Sequence, residues 1–280
     1  MKLVRFGDKG SEKAGIIDDT GAIRSLEGHL DDITPQSLSD DVLDKLRTID
    51  LESLDVVEGA RIGTPISNIG KIVCIGLNYS DHAAEADMEV PPEPVIFMKA
   101  TSAINGPDDD VILPRGSQKT DWECELAIVI GKEAKYVSEE DTFDYVAGYT
   151  ILNDISERAF QIERAGQWVK GKSCDTFAPI GPWLVTRDEV LDPQNLSMWL
   201  DVNGKRFQEG TTETMVYGVR HLVSYLSQFM SLQPGDVIST GTPPGVGMGQ
   251  NPAVYLKDGD VMSLGIQGLG VQTQKVISDT

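Results

Sequence analysis

Histidine is scarce in this chain of 280 residues, which has three: His29, His82 and His221. Cysteine is equally sparse, and Cys74, Cys124 and Cys174 are odd in number and far apart. That spacing excludes a disulfide framework and a CxxC metal knuckle. Basic charge is also short, with 24 Lys and Arg against 44 Asp and Glu for a formal net charge of -20. Such a balance argues against nucleic acid or an anionic membrane as partner. It would repel a carboxylate substrate at long range too, so an anionic substrate needs a locally positive pocket. No apolar run approaches the length that spans a bilayer. The opening Met1-Lys2-Leu3-Val4-Arg5-Phe6 alternates apolar and charged residues, which suits an edge strand rather than a signal peptide. A cytoplasmic protein is expected.

What is present is acid in a pattern. Asp121-Trp122-Glu123-Cys124-Glu125 places carboxylates at every second residue and runs into Leu126-Ala127-Ile128-Val129-Ile130. On a strand, residues two apart share a face, so Glu123 and Glu125 point the same way. Asp121 has the same parity, and either helps or lies exposed before the strand begins. Cys124 turns to the opposite face as a buried thiol. A third acid, Asp154, follows the apolar Tyr149-Thr150-Ile151-Leu152. Three carboxylates beside buried segments repel one another and are costly to desolvate. A hard divalent cation such as Mg²⁺ or Mn²⁺ resolves both problems and fits oxygen donors better than zinc does.

His82 and Glu85 are three residues apart in an alanine-rich stretch read as a short helix, and so share a face. A glutamate accepting from one imidazole nitrogen leaves the other free to take a proton from water. Pro91-Pro92-Glu93-Pro94 follows, and the segment reads as a lid. Its small and acidic residues suit a small polar substrate. Gly166 to Ser173 satisfies G-x-x-x-x-G-K-[ST], but a charged helical stretch precedes it and Cys174 to Pro179 cannot open a helix. A phosphate-binding loop needs a strand before and a helix after, so that reading is rejected. Lys172 is left as a lone positive charge beside a turn glycine. Lys99, Arg158, Gln161 and Thr242 are further polar candidates, Thr242 lying in a Gly- and Pro-rich loop that follows a strand.

Residues 1–66 read as a small amino-terminal domain without a clustered polar constellation, and 67–280 as the catalytic domain. Strands outnumber helices, with no regular βαβ alternation, so a β-rich roll or sandwich with peripheral helices is expected. Val254-Tyr255-Leu256 is read as one strand, and Glu157 to Arg164 and Val219 to Met230 as helices. Asn203-Gly204 signals a hairpin turn.

Taken in order, these motifs make the chain resemble the fumarylacetoacetate hydrolase family over residues 70–276. Gly76-Leu77-Asn78-Tyr79 with His82 and Glu85, Phe97-Met98-Lys99, Glu123-Cys124-Glu125-Leu126 and Asn153-Asp154-Ile155 carry the resemblance. So do Arg158, Gln161, Gly171-Lys172-Ser173, Val202-Asn203-Gly204 and Thr240-Gly241-Thr242-Pro243. It implies a strand-rich mixed α/β fold, a β-sandwich roll, commonly a homodimer. It further implies Mg²⁺ or Mn²⁺ on Glu123, Glu125 and Asp154, a water-activating His82–Glu85 dyad, and a substrate site lined by Lys99, Gln161, Lys172 and Thr242. Leu77 departs from members that carry a basic residue there. The implied reaction is metal-dependent hydrolysis of a C–C bond in a small anionic 2,4-dioxo acid, releasing pyruvate. Bacterial members of this length resemble hydrolases of 2,4-diketo-3-deoxy-L-rhamnonate in sugar-acid breakdown. The same platform suits an enolate-stabilising isomerase or decarboxylase, or a ureidoglycolate lyase. A non-catalytic binding protein is a remote alternative.

Overall fold

The computed structural model describes residues 1–81 and 91–279. Four strands come first: β1 (Lys2–Phe6), β2 (Lys13–Ile17), β3 (Ile23–Ser25) and, after helix α1 (Asp40–Arg47), β4 (Val56–Val57). The chain then forms β5 (Ile72–Gly76), β6 (Val95–Lys99), β7 (Ile104–Asn105), β8 (Val111–Leu113) and β9 (Thr120–Asp121). Next come β10 (Cys124–Ile130), β11 (Val146–Asn153) and β12 (Ser156–Glu157), then the short helices α2 (Arg158–Ile162) and α3 (Val169–Lys172). The last strands are β13 (Ala178–Thr186), β14 (Ser197–Val202), β15 (Lys205–Thr211), β16 (Val237–Ser239), β17 (Val261–Ile266) and β18 (Gly270–Ser278), with helix α4 (Val219–Phe229) before β16.

The strands form an eleven-stranded mixed sheet, a five-stranded sheet in the order β15-β14-β17-β18-β8, and a small β12–β9 pair. β10 lies inside the large sheet, antiparallel to both β11 and β16. All seven of its residues are buried. That explains its near-continuous run of Leu, Ala, Ile and Val, since a strand covered on both faces has no solvent side to alternate with. The amino-terminal strands join the same sheet, because β1 pairs antiparallel with β13 through Leu3 and Leu184.

The Asn203-Gly204 turn closes the β14–β15 hairpin, with Val202 opposite Lys205 and φ of 52° and 75° at the two turn residues. These positive values match the twist of the flanking strands. Three expectations differ from the structure. Residues 254–256 form no strand and follow an irregular path, Val254 and Leu256 giving their amides to Gly247 and Thr120. The expected helix over 157–164 is shorter, because Glu157 serves as its N-cap, accepting from the Ala159 amide. Residues 1–66 do contain a polar constellation: Arg5 and Arg61 share Glu12, and bond Asp32 and Asp109 respectively.

Candidate metal centre and active site

Glu123, Glu125 and Asp154 come together as the strand parity predicts. One oxygen from each lies within 4.8 Å of the others, and all three residues are buried. The local reason is pairing between β10 and β11, where Cys124 sits opposite Asn153. The Asp154 amide donates to the Glu123 carbonyl at 2.9 Å, and the Glu123 amide to Asn153 Oδ1 at 3.2 Å. Cys124 is buried with its thiol unionised, burial pushing its pKa up.

Three cations surround these acids. Lys172 Nζ bridges Glu123 Oε2 at 2.7 Å and Asp154 Oδ2 at 2.8 Å. Lys99 Nζ donates to Asp154 Oδ1 at 2.5 Å and to the Ile155 carbonyl at 3.0 Å. Arg158 donates to Glu123 Oε1 at 2.6 Å, Asp121 Oδ2 at 2.9 Å and Gln161 Oε1 at 3.1 Å. Lys172 is therefore the shared counter-ion of two acids rather than a lone charge. Gly171 makes its position possible, because a Cβ there would lie 2.4 Å from the Glu157 carbonyl oxygen and block the close approach of α3 to α2. The false phosphate loop is thus a packing device.

The electrostatics separate the acids. Burial works to raise the Glu123 pKa, but Lys172 and Arg158 outweigh it and hold the group well below the usual carboxylate range. Glu125 moves up, first through burial and then through the charges of Asp154 and Glu123. It accepts from Ser239 Oγ at 2.5 Å and the Gly241 amide at 3.0 Å, both neutral donors. Burial would lower Lys172, yet Asp154 and Glu123 keep it protonated, above its ordinary value.

Two members of this network were hard to assign from sequence. Asp121 is fully buried and is no exposed strand lead-in. It accepts from Arg158 and from the amides of Gly247 and Met248, tying the 245–248 loop to the acids. Its odd-numbered parity with Glu123 was the available signal. Gln208 supports the other side, donating to Thr242 Oγ1 at 2.8 Å, while the Thr242 hydroxyl donates to the Cys124 carbonyl at 2.9 Å. Nothing in the Gln208 sequence context marks it.

Glu123 and Glu125 open into a cavity of about 270 Å³ whose lining also includes Arg158, Gln161, Lys172 and Thr242. Lys99 and its partner Asp154 lie outside that lining. The remaining wall is mainly apolar, with Leu77, Phe97, Trp168 and Met248 among its residues. The small, acidic lid segment that suggested a polar substrate is largely residues 82–90. Those residues, with His82 and Glu85, lie outside the described ones.

An all-oxygen donor set of three buried carboxylates fits a hard divalent cation. Glu123, Glu125 and Asp154 would hold it, and an unbalanced acid such as Glu125 is what such an ion would neutralise. Among the described residues, no helix is long and apolar enough to cross a membrane.

Comparison with known proteins agrees with this geometry. A Burkholderia orbicola (strain MC0-3) protein, named provisionally as a hydrolase, is 58% identical over 277 residues, covering 98% of each chain. Two solved structures cover the whole chain and are themselves covered fully. One is a 5-carboxymethyl-2-hydroxymuconate delta-isomerase from Mycobacterium smegmatis, 32% identical with a TM-score of 0.80. The other is a maleylpyruvate hydrolase from Sphingobium sp. SYK-6 in complex with manganese(II) and pyruvate, 29% identical with a TM-score of 0.83. The strand-rich fold is that of a fumarylacetoacetate-hydrolase-type β-sandwich. The family model for the C-terminal region of fumarylacetoacetate hydrolase matches residues 71–277, and the chain belongs to that family.

Proposed function

We propose that this protein is a divalent-metal-dependent hydrolase that cleaves a C–C bond in a small 2,4-dioxo acid and releases pyruvate. The observation that carries the reading is the set of three buried carboxylates within 4.8 Å of one another, two of which, Glu123 and Glu125, line a cavity of substrate size. A Mg²⁺ or Mn²⁺ ion held there would polarise a carbonyl of the substrate as a Lewis acid. Lys172 and Arg158 hold Glu123 ionised and fix its two oxygens in place, while Lys99 and Lys172 each hold one oxygen of Asp154. His82 is the proposed base, oriented by Glu85: it takes a proton from water as the oxygen adds to the C4 carbonyl. The C3–C4 bond then breaks, its electron pair passes to C3 as pyruvate enolate, and a proton returned to C3 completes the reaction. The Lys172 ammonium balances the negative charge that develops beside it.

A homodimer in the cytoplasm, acting on a small anionic substrate, belongs to the same reading. A sugar-acid substrate such as 2,4-diketo-3-deoxy-L-rhamnonate is a finer form of it, which neither the family model nor the relatives described above single out. The decisive experiment supplies a panel of 2,4-dioxo acids with Mg²⁺ or Mn²⁺ and follows pyruvate. Release that depends on the metal is expected. His82→Ala should cost roughly 10²–10⁴-fold in kcat, the range of a positioned general base, with metal titration unchanged. A kcat near wild type at every pH would remove His82 from the role. A second reading, isomerisation, is favoured by the isomerase among the relatives. It predicts metal-dependent loss of the enol absorbance without pyruvate.

A further inference from the structure

We propose that the substrate this cavity takes is a 2,4-dioxo monocarboxylate with an apolar acyl end, alkyl or aryl, rather than a dicarboxylate or a polyhydroxylated chain. The inference rests on the reaction proposed above and names the substrate class within it.

Burial divides the cavity into two parts. Glu123, Glu125, Arg158, Gln161, Lys172 and Thr242 are all buried and form a charged floor. The apolar lining is more open: Leu77, Phe97 and Trp168 are half-buried, while Ile162 and Met248 remain 50% and 41% exposed. Large apolar side chains left in water around one opening are a feature of ligand sites, where the occupant covers them.

The wall is built into the fold. The Trp168 indole rests on Gly76, where a Cβ would lie 2.7 Å from a ring carbon. Phe97 meets Trp168 edge to face, with centroids 5.3 Å apart and planes at 66°. Lys172 Nζ lies 5.0 Å from the centroid of the Phe97 ring. The aromatic surface therefore runs directly into the charged floor, which suits a molecule polar at one end and apolar at the other.

Charge gives an independent argument. Four buried acids (Asp121, Glu123, Glu125, Asp154) cluster with three buried cations (Lys99, Arg158, Lys172), and of these Glu123, Glu125, Arg158 and Lys172 line the floor. A divalent ion on the acids leaves a surplus of one positive charge, which a single carboxylate neutralises. A second carboxylate meets no further cation among the described lining residues. Every guanidinium nitrogen of Arg158 already has an acceptor, and Lys172 is shared by two acids. Residues 82–90 contain neither lysine nor arginine. A tail carboxylate would thus lie against Trp168 and Ile162 without compensation, and burying an unpaired charge is costly. A row of hydroxyls meets, in Leu77, Phe97 and Ile162 of the described wall, side chains without a hydrogen-bonding group.

The test uses Mn²⁺-loaded protein in two assays. In the first, kcat/KM for pyruvate release is compared for acetylpyruvate, hexanoylpyruvate, benzoylpyruvate, a dicarboxylic acylpyruvate of matched length and a 2,4-diketo-3-deoxy sugar acid. The value should rise about fourfold for each added methylene that is buried. The dicarboxylate should lie at least about tenfold below the matched monocarboxylate. In the second, heptanoate and pimelate are titrated calorimetrically, and heptanoate should bind more tightly. Leu77→Arg should raise kcat/KM for the dicarboxylate about tenfold by giving its tail a partner, and no gain in a folded variant counts against the inference. If no acid releases pyruvate but heptanoate still binds more tightly than pimelate, the hydrolase reading fails and the substrate-class inference stands. A preference for the dicarboxylate or the sugar acid, with pimelate binding at least as tightly as heptanoate, overturns the inference and leaves the hydrolysis intact.

Discussion

The cluster around Glu123, Glu125 and Asp154 and the one joining Arg5 and Arg61 to Glu12, Asp32 and Asp109 use the same residue types. They differ in how the charges are matched. In the amino-terminal cluster every acid has an arginine: Arg5 bonds Asp32 at 2.6 Å and Glu12 at 3.3 Å, and Arg61 bonds Asp109 at 2.7 Å and Glu12 at 3.0 Å. In the site cluster Glu125 is left to a hydroxyl and an amide. The pKa directions follow. Glu12 is lowered, its own amide, Arg61 and Arg5 prevailing over burial, and Asp109 is lowered as Arg61 prevails over burial. Glu125 is raised, by burial and its acidic neighbours. A closed set of pairs is a clamp, and a buried set with an acid to spare has room for another cation.

The largest effect that would break this comparison is on metal binding. Glu125→Gln should weaken Mn²⁺ affinity by more than the roughly 10–100-fold that changing an outer partner of a ligand costs, with turnover nearly lost. The metal-free variant should be no less stable than the parent, because the amide is neutral where Glu125 is already resistant to ionising. Unchanged calorimetric titration with full activity would remove Glu125 as a ligand. Next in size is Arg158→Met, which leaves Asp121 and Glu123 buried with one cation fewer. Breaking such a pair costs about 3–5 kcal/mol, read from urea denaturation of the metal-free protein.

The pH response sharpens the contrast through its sign. Glu125 keeps its proton in the folded, metal-free state at pH values where the unfolded chain, at an ordinary 4.5, has lost it. Its contribution to stability is therefore full at low pH and is lost as pH rises from 4.5 through the folded pKa, at up to about 1.4 kcal/mol per pH unit for one proton. Metal uptake must displace that proton. Calorimetry in buffers of different ionisation enthalpy should show proton release below the folded pKa, and affinity should rise with pH over the same window. Glu12 and Asp109 carry the opposite sign, their stabilisation being present above their ordinary values of 4.5 and 3.8 and lost on acidification. The smallest effect is expected for Arg61→Met. Arg61 is partly open to solvent, so its loss should cost about 1 kcal/mol, with metal affinity unchanged.

Legibility in the sequence followed the range of the physics involved. The alternation of Glu123 and Glu125, the β10 strand and the Asn203-Gly204 hairpin are local consequences of strand parity and turn stereochemistry, and they hold. Val254 to Leu256 has the composition of a strand, but Val254 and Leu256 bond a loop glycine and Thr120, a choice made by residues far away in the chain. The pairing of Lys172 with Glu123 and Asp154 spans 49 and 18 residues. Its only local sign is Gly171, which sequence reads as a turn and the fold uses to bring two helices together. The Arg5–Glu12–Arg61 clamp joins residues that look like ordinary surface charge until the strands place them side by side.

The seat of Trp168 has an optical consequence. Its indole forms part of the cavity wall, half-buried and in edge contact with Phe97, whereas Trp122 is fully buried with its ring nitrogen on the Gly245 carbonyl. Tryptophan emission depends on the polarity around the ring, so displacing water from the cavity with an apolar group should shift the light from Trp168 toward the blue while leaving Trp122 dark to the event. Occupancy can then be followed in a cuvette without a label, and the shift should vanish in Trp168→Phe.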